Sequence, residues 1–386
     1  MTPAARAQAA IEILEEVIAS ARSDGPPADA LVAAYFKSRR YAGSGDRRAV
    51  RELVFRAVRR SAELPGSGRT AMLGIAPELF DGSPHGPAPR GEDEQPAAAS
   101  LVPDWLGGEL SPLVAAEELA ALVERAPLDL RANLLKTDRE ALRGEWPGAV
   151  PTPLSPWGLR LPTDTPVTSH TAYLDGRAEV QDEGSQLVAL AGEIAGGERI
   201  VDLCAGGGGK ALALAAAARQ AEIIACDVSR QRLSQLPPRA ERAGARVAIR
   251  LLNPPREAAE LSDLAGTCDL VLVDAPCSGS GTWRRNPEGR WRLTPERLER
   301  LAALQARVLD LAAQLVKPGG RLVYAVCSVL AREGAAQADA FLSRHSAFGA
   351  MDIPFAAGRL DGVGRLLTPG HDGTDGFFIA RFGVGC

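Results

Sequence analysis

Two cysteines stand where a thiol could do chemistry. Cys277 lies in an Asp-Ala-Pro-Cys-Ser-Gly run directly after the predicted strand 270–273, and Cys327 opens a Cys-Ser pair directly after the predicted strand 321–326. A single cysteine after a strand is most often core filler, because free cysteine is among the most buried residue types. Two cysteines at the ends of strands, each followed by serine, instead predict a pair of reactive thiols.

A thiol pair of this kind suits methylation at carbon 5 of cytosine. That carbon is too weak a nucleophile to take a methyl group directly. A thiolate that adds to C6 makes C5 enamine-like, C5 attacks a sulfonium methyl group, and a base then removes the C5 proton so that the thiol can leave. The cysteines therefore predict a covalent thiol nucleophile that works with a sulfonium methyl donor.

A glycine-rich run, Val-Asp-Leu-Cys-Ala-Gly-Gly-Gly-Gly-Lys at 201–210, ends another predicted strand and opens a helix. Successive glycines let the backbone approach a ligand closely. The run is not a phosphate-binding P-loop, because Ala211 stands where that motif needs Ser or Thr. Asp227, after the next strand, can accept hydrogen bonds from the ribose of an adenosine group or can cap a helix. These features predict a nucleotide-type cofactor and leave NAD as open as S-adenosyl-L-methionine (SAM).

The elements that must position these residues alternate between short apolar strands and helices such as 295–316. Apolar runs of this kind are typical of strands covered on both faces. The alternation predicts an α/β fold with a doubly wound, Rossmann-like parallel sheet, in which ligands bind beyond the carboxyl ends of the strands. The predicted strands are 199–203, 222–226, 246–252, 270–273 and 321–326.

The chain before this sheet is predicted to be built differently. Apolar residues recur with helical period in 5–22 and 46–60, which indicates an all-α bundle. A Gly- and Pro-rich stretch follows, and then a segment that mixes helical and extended patterns. We predict four segments: a helical domain at 1–80, a linker at 81–112, an α+β accessory region at 113–190, and the sheet domain at 191–386.

The charge of the chain is uneven. The net charge of −4 and the sequence pI of about 5.8 argue against a strongly basic nucleic-acid binder. Residues 37–60, however, hold nine basic and two acidic side chains, a local charge of +7. Because phosphate contacts respond to local fields, one basic face can be enough to bind RNA. The arginines predicted to form this face are Arg39, Arg40, Arg47, Arg48, Arg284, Arg285 and Arg290; the alternative is a solvated helix surface.

The cysteines and the hydropathy also bear on the compartment. The six cysteines form no Cys-x-x-Cys pair and only four histidines are present, so we expect no metal site. No apolar run approaches the length of about 20 residues that crosses a bilayer, and the first ten residues lack an export pattern. We therefore expect a cytoplasmic protein with reduced thiols and no membrane contact. The cysteines are Cys204, Cys226, Cys268, Cys277, Cys327 and Cys386.

These motifs together resemble the Sun-type RNA m5C methyltransferases, and most of all the B-type members that act on bacterial small-subunit ribosomal RNA. The resemblance covers nearly the whole chain. The basic N-terminal part is similar to the NusB-like RNA-binding domain of the B-type enzymes. The matching segments lie at 126–133, 181–185, 202–210, 274–279, 284–291, 317–321 and 371–378.

The resemblance implies a role for each matching residue. Cys327 would be the cysteine that attacks C6, Cys277 the one that assists product release, and Asp274 would lie beside the methyl donor and the target base. It further implies RNA, most simply 16S ribosomal RNA, as the partner, with no DNA partner and a monomeric enzyme. The residues that would bind SAM are Cys204, Ala205, Gly206, Gly207, Gly208, Gly209, Lys210, Asp227, Asn253 and Asp274.

The sequence departs from the family pattern at several of these positions. Gly206, Gly207 and Ala211 stand where the family has Ala, Pro and Thr, and Asn253 stands where it has Asp. Val326 replaces the Thr before the nucleophile, and the Glu-Asn-Glu run that usually follows the nucleophile motif is reduced to Glu333. Three other interpretations stay open: an NAD-dependent oxidoreductase, a non-catalytic RNA-binding protein on the same fold, and a methyltransferase that acts on tRNA. The DNA C5 methyltransferases place the nucleophile in a Pro-Cys pair, which would be Cys277 here.

Overall fold

The computed structural model describes residues 1–23 and 25–385, so Cys386 lies outside the described residues. The chain divides into two compact units. The helical unit comprises Met1–Leu110, Ala115–Arg125 and Thr282–Arg297, and the sheet unit comprises Ser111–Val114, Ala126–Gly281 and the chain from Leu298 onward. The four-segment division made from the sequence did not include the return of 282–297 to the helical unit, and as a division into independently folding domains it stays a prediction.

Three helices begin and end within three residues of the bounds predicted from the sequence. The predicted helices 5–22, 46–60 and 295–316 are confirmed as α1, α3 and α14. No helix within the described residues is both long enough and apolar enough to span a membrane. In chain order the α-helices are α1 (Pro3–Arg22), α2 (Ala28–Ser38), α3 (Ser44–Arg60), α4 (Gly68–Leu73), α5 (Ala116–Val123), α6 (Arg139–Arg143), α7 (Thr171–Leu174), α8 (Glu183–Leu190), α9 (Gly209–Ala217), α10 (Arg230–Leu233), α11 (Leu236–Ala243), α12 (Glu257–Glu260), α13 (Gly289–Arg292), α14 (Pro295–Ala313), α15 (Ala335–Arg344) and α16 (Pro369–Asp372).

The strands form two separate sheets, both in the sheet unit. All five strands predicted after residue 198 are confirmed, as β5 to β9. In chain order the strands are β1 (Leu128–Ala132), β2 (Val150–Pro151), β3 (Gly158–Leu161), β4 (Ala178–Val180), β5 (Arg199–Asp202), β6 (Glu222–Asp227), β7 (Ala248–Leu251), β8 (Cys268–Asp274), β9 (Val316–Val326), β10 (Phe348–Ala350), β11 (Arg359–Asp361), β12 (Gly364–Leu367) and β13 (Phe377–Val384).

The helical unit is built around the apolar face of α1. Thr2 caps this helix by accepting a hydrogen bond from the Ala5 N–H, and Leu14 and Val17 are fully buried. Trp291, from the segment 282–297, joins the same core and donates its indole N–H to the Ser61 carbonyl. This unit therefore draws its core from residues that are far apart in the sequence.

Two of the arginines predicted to contact RNA are instead buried in the helical unit. Arg290 is 1% exposed, and its guanidinium donates to the backbone carbonyls of Val58, Arg59 and Leu101. Burial lowers the pKa of Arg290 to about 10. Arg284 is also buried, at 7%. The prediction of phosphate contacts is wrong for both, since these side chains are not at the surface. On and beside α3, by contrast, the exposed arginines include Arg40, Arg47 and Arg48.

The smaller sheet confirms that 113–190 contains mixed α and β structure. Its strands are antiparallel in the order β2-β3-β1-β4, and the strand-like run predicted from residue 128 is confirmed as β1. Asp182 caps α8 by accepting from the N–H groups of Gly184 and Ser185. This part of the chain leads directly into the larger sheet.

The larger sheet has the order β11-β12-β13-β9-β8-β5-β6-β7, with β10 beside β13. The strands β9, β8, β5, β6 and β7 run parallel, as predicted. Four antiparallel strands, β10 to β13, extend the sheet beyond β9, which the sequence did not predict. β11 and β12 are joined by a hairpin, a connection that only antiparallel neighbours can use. The parallel strands place four motif-bearing carboxyl ends at one edge.

Candidate active site

The carboxyl ends of β5, β6, β8 and β9 bring the predicted site residues to one edge of the sheet. Asp202 in β5 pairs with Ala225 in β6 and Leu272 in β8, and Asp274 at the end of β8 pairs with Ala325 in β9. The residues just before each strand end are apolar and buried, as at 200–201 and 270–273, and polar or chemically reactive residues follow at the carboxyl end. The topology therefore converts four distant sequence motifs into one site.

The two cysteines are neighbours at this edge. The Sγ atoms of Cys277 and Cys327 lie 3.3 Å apart, within hydrogen-bond distance for thiols, and both side chains are half-buried. The hydrogen bond to Cys327, followed by burial and by the charge of Cys327, raises the pKa of Cys277 well above its ordinary value. Cys277 therefore holds its proton while Cys327 is beside it.

A lysine and an aspartate form an ion pair in the same site. Lys210 Nζ lies 2.6 Å from Asp274 Oδ2, and the ammonium also lies 5.5 Å from the centre of the Phe377 ring. Burial alone would lower the pKa of Lys210, but attraction to Asp274 and to the charge of Cys327 raises it overall. The ammonium thus stays charged, and it lies near enough to Cys327 for the two groups to interact electrostatically.

The glycine-rich loop is shaped by backbone angles that suit glycine. Gly206 and Gly208 have φ angles of 54° and 81°, in the left-handed region. The Gly206 N–H donates to Asp227 Oδ2 at 2.8 Å, and the Ser229 N–H donates to Asp227 Oδ1 at 2.6 Å. Asp227 thus ties the loop after β5 to the turn after β6, and each carboxylate oxygen keeps a lone pair for a further donor.

A second clamp holds the loop at the position where the family has proline. Arg239 donates from Nη1 to the Gly207 carbonyl at 2.5 Å and from Nη2 to Glu179 Oε2 at 2.9 Å. Glu179 is 3% exposed and also pairs with Arg242. The pattern of the loop gave no indication of this clamp, because its residues come from α11 and from the smaller sheet.

Asp202 is a functional candidate that the sequence analysis did not assign to the site. Its side chain is fully buried at the end of β5, and neither carboxylate oxygen has a hydrogen-bond partner of normal geometry among the described residues. Burial, together with repulsion from Asp274, raises the pKa of Asp202 to about 7, although Lys210 and the Ala211 N–H oppose the rise. The sequence could have identified Asp202 as a site residue, because it lies at the end of a buried strand and just before the glycine-rich loop.

The remaining predicted cofactor residues are distributed around the loop. The Ala205 N–H donates to the Cys226 carbonyl, and Gly209 begins α9. Burial, and then the charges of nearby carboxylates, raise the pKa of Cys204 well above its ordinary value, which disfavours its thiolate form. Asn253 is exposed after β7 and donates its side-chain amide to Glu260 Oε1 at 3.0 Å. Its contact with a cofactor stays a prediction.

The order of these motifs is that of a known family. The family model described as 16S rRNA methyltransferase RsmB/F matches residues 189–383, which hold every predicted site residue. The chain belongs to this family. The ribosomal RNA small subunit methyltransferase B of Salmonella arizonae is 36% identical over 295 residues, 74% of this chain and 66% of that relative. The protein of the same description from Xylella fastidiosa strain 9a5c is 36% identical over 72% of this chain and 65% of its own length.

Solved structures agree with the fold. The crystal structure of PH0851 superposes with a TM-score of 0.77 and 23% identity, and covers 97% of this chain and 98% of that one. The structure of NSun6 from Pyrococcus horikoshii with SFG has a TM-score of 0.62 and 20% identity, over 69% and 93% of the two chains. The chain covers slightly less than two thirds of the length of these two relatives.

Proposed function

We propose that this protein is a SAM-dependent RNA methyltransferase that methylates carbon 5 of cytosine, with Cys327 as nucleophile. The observation that carries the proposal is the 3.3 Å approach of the Cys277 and Cys327 thiols beside the Lys210–Asp274 ion pair. The alternative of an NAD-dependent oxidoreductase leaves both cysteine motifs unexplained. Membership of a methyltransferase family supports the same choice.

The residues of the glycine loop fit SAM as the cofactor. Asp227 can accept from ribose hydroxyls, and the Gly206–Gly209 backbone can approach the ligand closely. The unpartnered, buried carboxylate of Asp202 suits a cationic group, because a buried charge needs a partner of opposite sign. When bound, SAM supplies the activated methyl group that cytosine C5 takes.

The chain's own groups can carry the covalent steps. The Cys327 thiolate forms a bond to C6 as the C5–C6 π bond breaks, and that electron pair makes C5 the nucleophile that takes the methyl group. Once Cys327 is alkylated, its hydrogen bond and its charge no longer raise the pKa of Cys277, and burial and the nearby Glu333 are the causes that remain. Cys277 can then release that proton to solvent, and its thiolate accepts the proton from C5. The C5–H electron pair forms the C5–C6 double bond, the C6–S bond breaks, and Cys327 leaves as a thiolate.

The RNA substrate is proposed to be 16S ribosomal RNA. The relatives' names support this choice, and so do the exposed arginines of the helical unit, which can contact phosphates. The target base must be unpaired or flipped out, because C6 is otherwise stacked inside a helix. We further propose that the enzyme acts as a monomer, in the cytoplasm, on RNA rather than DNA.

Trapping the covalent adduct tests the assignment of the two cysteines. Cys327→Ala cannot bond to C6, so it should give no SDS-stable protein–RNA complex and no methylation. Cys277→Ala should attack and transfer the methyl group but release the product slowly, so a covalent complex should accumulate. A complex in Cys327→Ala and none in Cys277→Ala would reverse the assignment.

Bisulfite sequencing of total RNA from cells with and without the gene tests the substrate. Loss of a single protected cytosine in 16S rRNA is the expected result. Loss in tRNA would keep the chemistry and change the substrate. If no protected cytosine is lost and the purified wild type shows neither methylation nor adducts, the non-catalytic RNA-binding interpretation is favoured instead.

A further inference from the structure

A buried carboxylate lies beneath both cysteine loops and is not explained by the chemistry proposed above. Glu333 follows β9 and is fully buried. Its Oε1 accepts from the Ser278 N–H at 2.8 Å and from Gln305 Nε2 at 3.0 Å, and its Oε2 accepts from Ser278 Oγ at 2.5 Å and Ser328 Oγ at 2.6 Å. Four neutral donors from three separate segments thus converge on one side chain.

The two serines that bind this carboxylate are the residues directly after the two cysteines. Ser278 follows Cys277 and Ser328 follows Cys327, so the Cys-Ser repetition in the sequence has a structural reason. The loops are joined further by the Ser280 hydroxyl, which lies 3.0 Å from Ser328 Oγ and accepts from the Val329 N–H at 3.0 Å. The carboxylate therefore connects the backbones that carry both thiols.

We propose that Glu333 is a positioning residue that holds the Cys277 and Cys327 loops together so that both thiols reach the same base. This inference rests on the proposed function. A carboxylate is an expensive group to bury, and an apolar residue of similar size would often serve stability better. A buried carboxylate at this position has a purpose if it fixes the distance between the two thiols.

Capping of the next helix does not explain Glu333. Helix α15 begins two residues later, and its first N–H groups donate to the backbone carbonyls of Ala331 and Gly334 rather than to the carboxylate. Tyr324, which is buried in β9, donates its hydroxyl to the Glu333 carbonyl at 2.6 Å. The backbone of this turn and the carboxylate are thus held by different partners, which allows the two to be perturbed separately.

The variants follow from this separation. Glu333→Gln keeps the shape and one acceptor oxygen, Ser278→Ala with Ser328→Ala removes the hydroxyl donors, and Glu333→Ala removes the link. Tyr324→Phe is the matched control, because it disturbs the same turn and leaves all four carboxylate hydrogen bonds in place.

The first readout is independent of methylation. A trivalent phenylarsenical binds two thiols only when they are close together, so its capture rate reports the Cys277–Cys327 geometry in the full-length protein. We expect capture to slow in the Glu333→Ala and double-serine variants, with Glu333→Gln intermediate and Tyr324→Phe unchanged. Equal capture by Glu333→Ala and Tyr324→Phe would overturn the proposal; if Glu333→Ala does not fold, the double-serine variant decides in the same way.

The second readout is single-turnover methyl transfer at saturating SAM. A misplacement of about 1 Å can cost roughly 100-fold in rate, so we expect a large loss in the same variants with the dissociation constant for SAM unchanged. Slower arsenical capture with an unchanged methyl-transfer rate would also overturn the proposal. If the wild type captures the arsenical but methylates no RNA, the proposed function fails. The capture rates of the variants then still test whether Glu333 holds the two thiols together.

Discussion

We predict that the ionisation of Asp202 sets the pH dependence of SAM binding. Burial raises the pKa of this carboxyl to about 7 in the absence of ligand. If the carboxylate is the partner of a cationic group of SAM, only the ionised form binds well. About a tenth of the protein is in that form at pH 6 and about nine tenths at pH 8, so the affinity should rise about tenfold over this interval.

Isothermal titration calorimetry between pH 6 and 8 measures this change directly. At pH 7 about half of the Asp202 side chains carry a proton, so SAM binding should release about half a proton per protein. This release appears as a difference in the measured binding enthalpy between buffers that have different ionisation enthalpies. Asp202→Asn cannot ionise and should bind with a weak, pH-independent affinity. Asp263→Asn is the matched control, because Asp263 is exposed and the hydrogen bond from Arg250 holds its pKa below the ordinary value.

The same pKa gives a readout without ligand. A carboxyl whose pKa is raised by folding stabilises the protein below the pKa of the unfolded chain, and that contribution is lost as pH rises through about 7. The melting temperature of the wild type should therefore fall between pH 5 and 8 relative to that of Asp202→Asn. A wild-type SAM affinity that is flat from pH 6 to 8, or that changes equally in Asp202→Asn, would refute the reasoning.

Three further predictions concern other contacts. Arg239→Gln should weaken SAM binding roughly tenfold, because it removes the hydrogen bond that holds the glycine-rich loop. Adding Gly207→Pro should restore part of that affinity by stiffening the loop, as a SAM titration of the double variant would show. If the effects of the two substitutions simply add, Arg239 does not hold the loop. Neutralising Arg47 and Arg48 should flatten the salt dependence of RNA affinity in a filter-binding assay, whereas an unchanged slope would make them solvated surface residues. Arg290→Ala should lower the unfolding free energy by roughly 3 kcal/mol, measured by denaturant titration, because it leaves several buried carbonyls unpaired; a loss near zero would show that water replaces it.

The parallel part of the fold could be predicted from the sequence because most of its strands contain a clear apolar run. β5, β6 and β8 contain short apolar runs, β9 is apolar after Arg321, and each of the four ends in a polar residue or is followed at once by a motif residue. β7 was a weaker prediction, since Arg250 interrupts its apolar pattern, and its arginine is accommodated by an ion pair with Asp263. The proximity of Cys277 to Cys327 followed from the rule that parallel strands end at one edge.

The features that the sequence did not predict depend on long-range packing. Arginine is a residue type that usually lies at the surface. Only the fold shows that Arg290 donates hydrogen bonds to carbonyls inside the helical unit. The arginine that holds Gly207 comes from α11. The role of the serines after the two cysteines is visible only in the structure, where both donate hydrogen bonds to Glu333. In each case the partner is too far away in sequence for a local pattern to indicate it.

The return of 282–297 to the helical unit has a consequence for how the chain is made. Glu288 in this segment accepts from the Ala28 N–H, and Arg292 donates to the Gly25 carbonyl. A ribosome must therefore synthesise about three quarters of the 386 residues before the N-terminal helices can complete their core. A fragment that ends at Arg125 should consequently emerge as a loosely packed, protease-sensitive intermediate, and adding 282–297 in trans as a peptide should protect it from digestion.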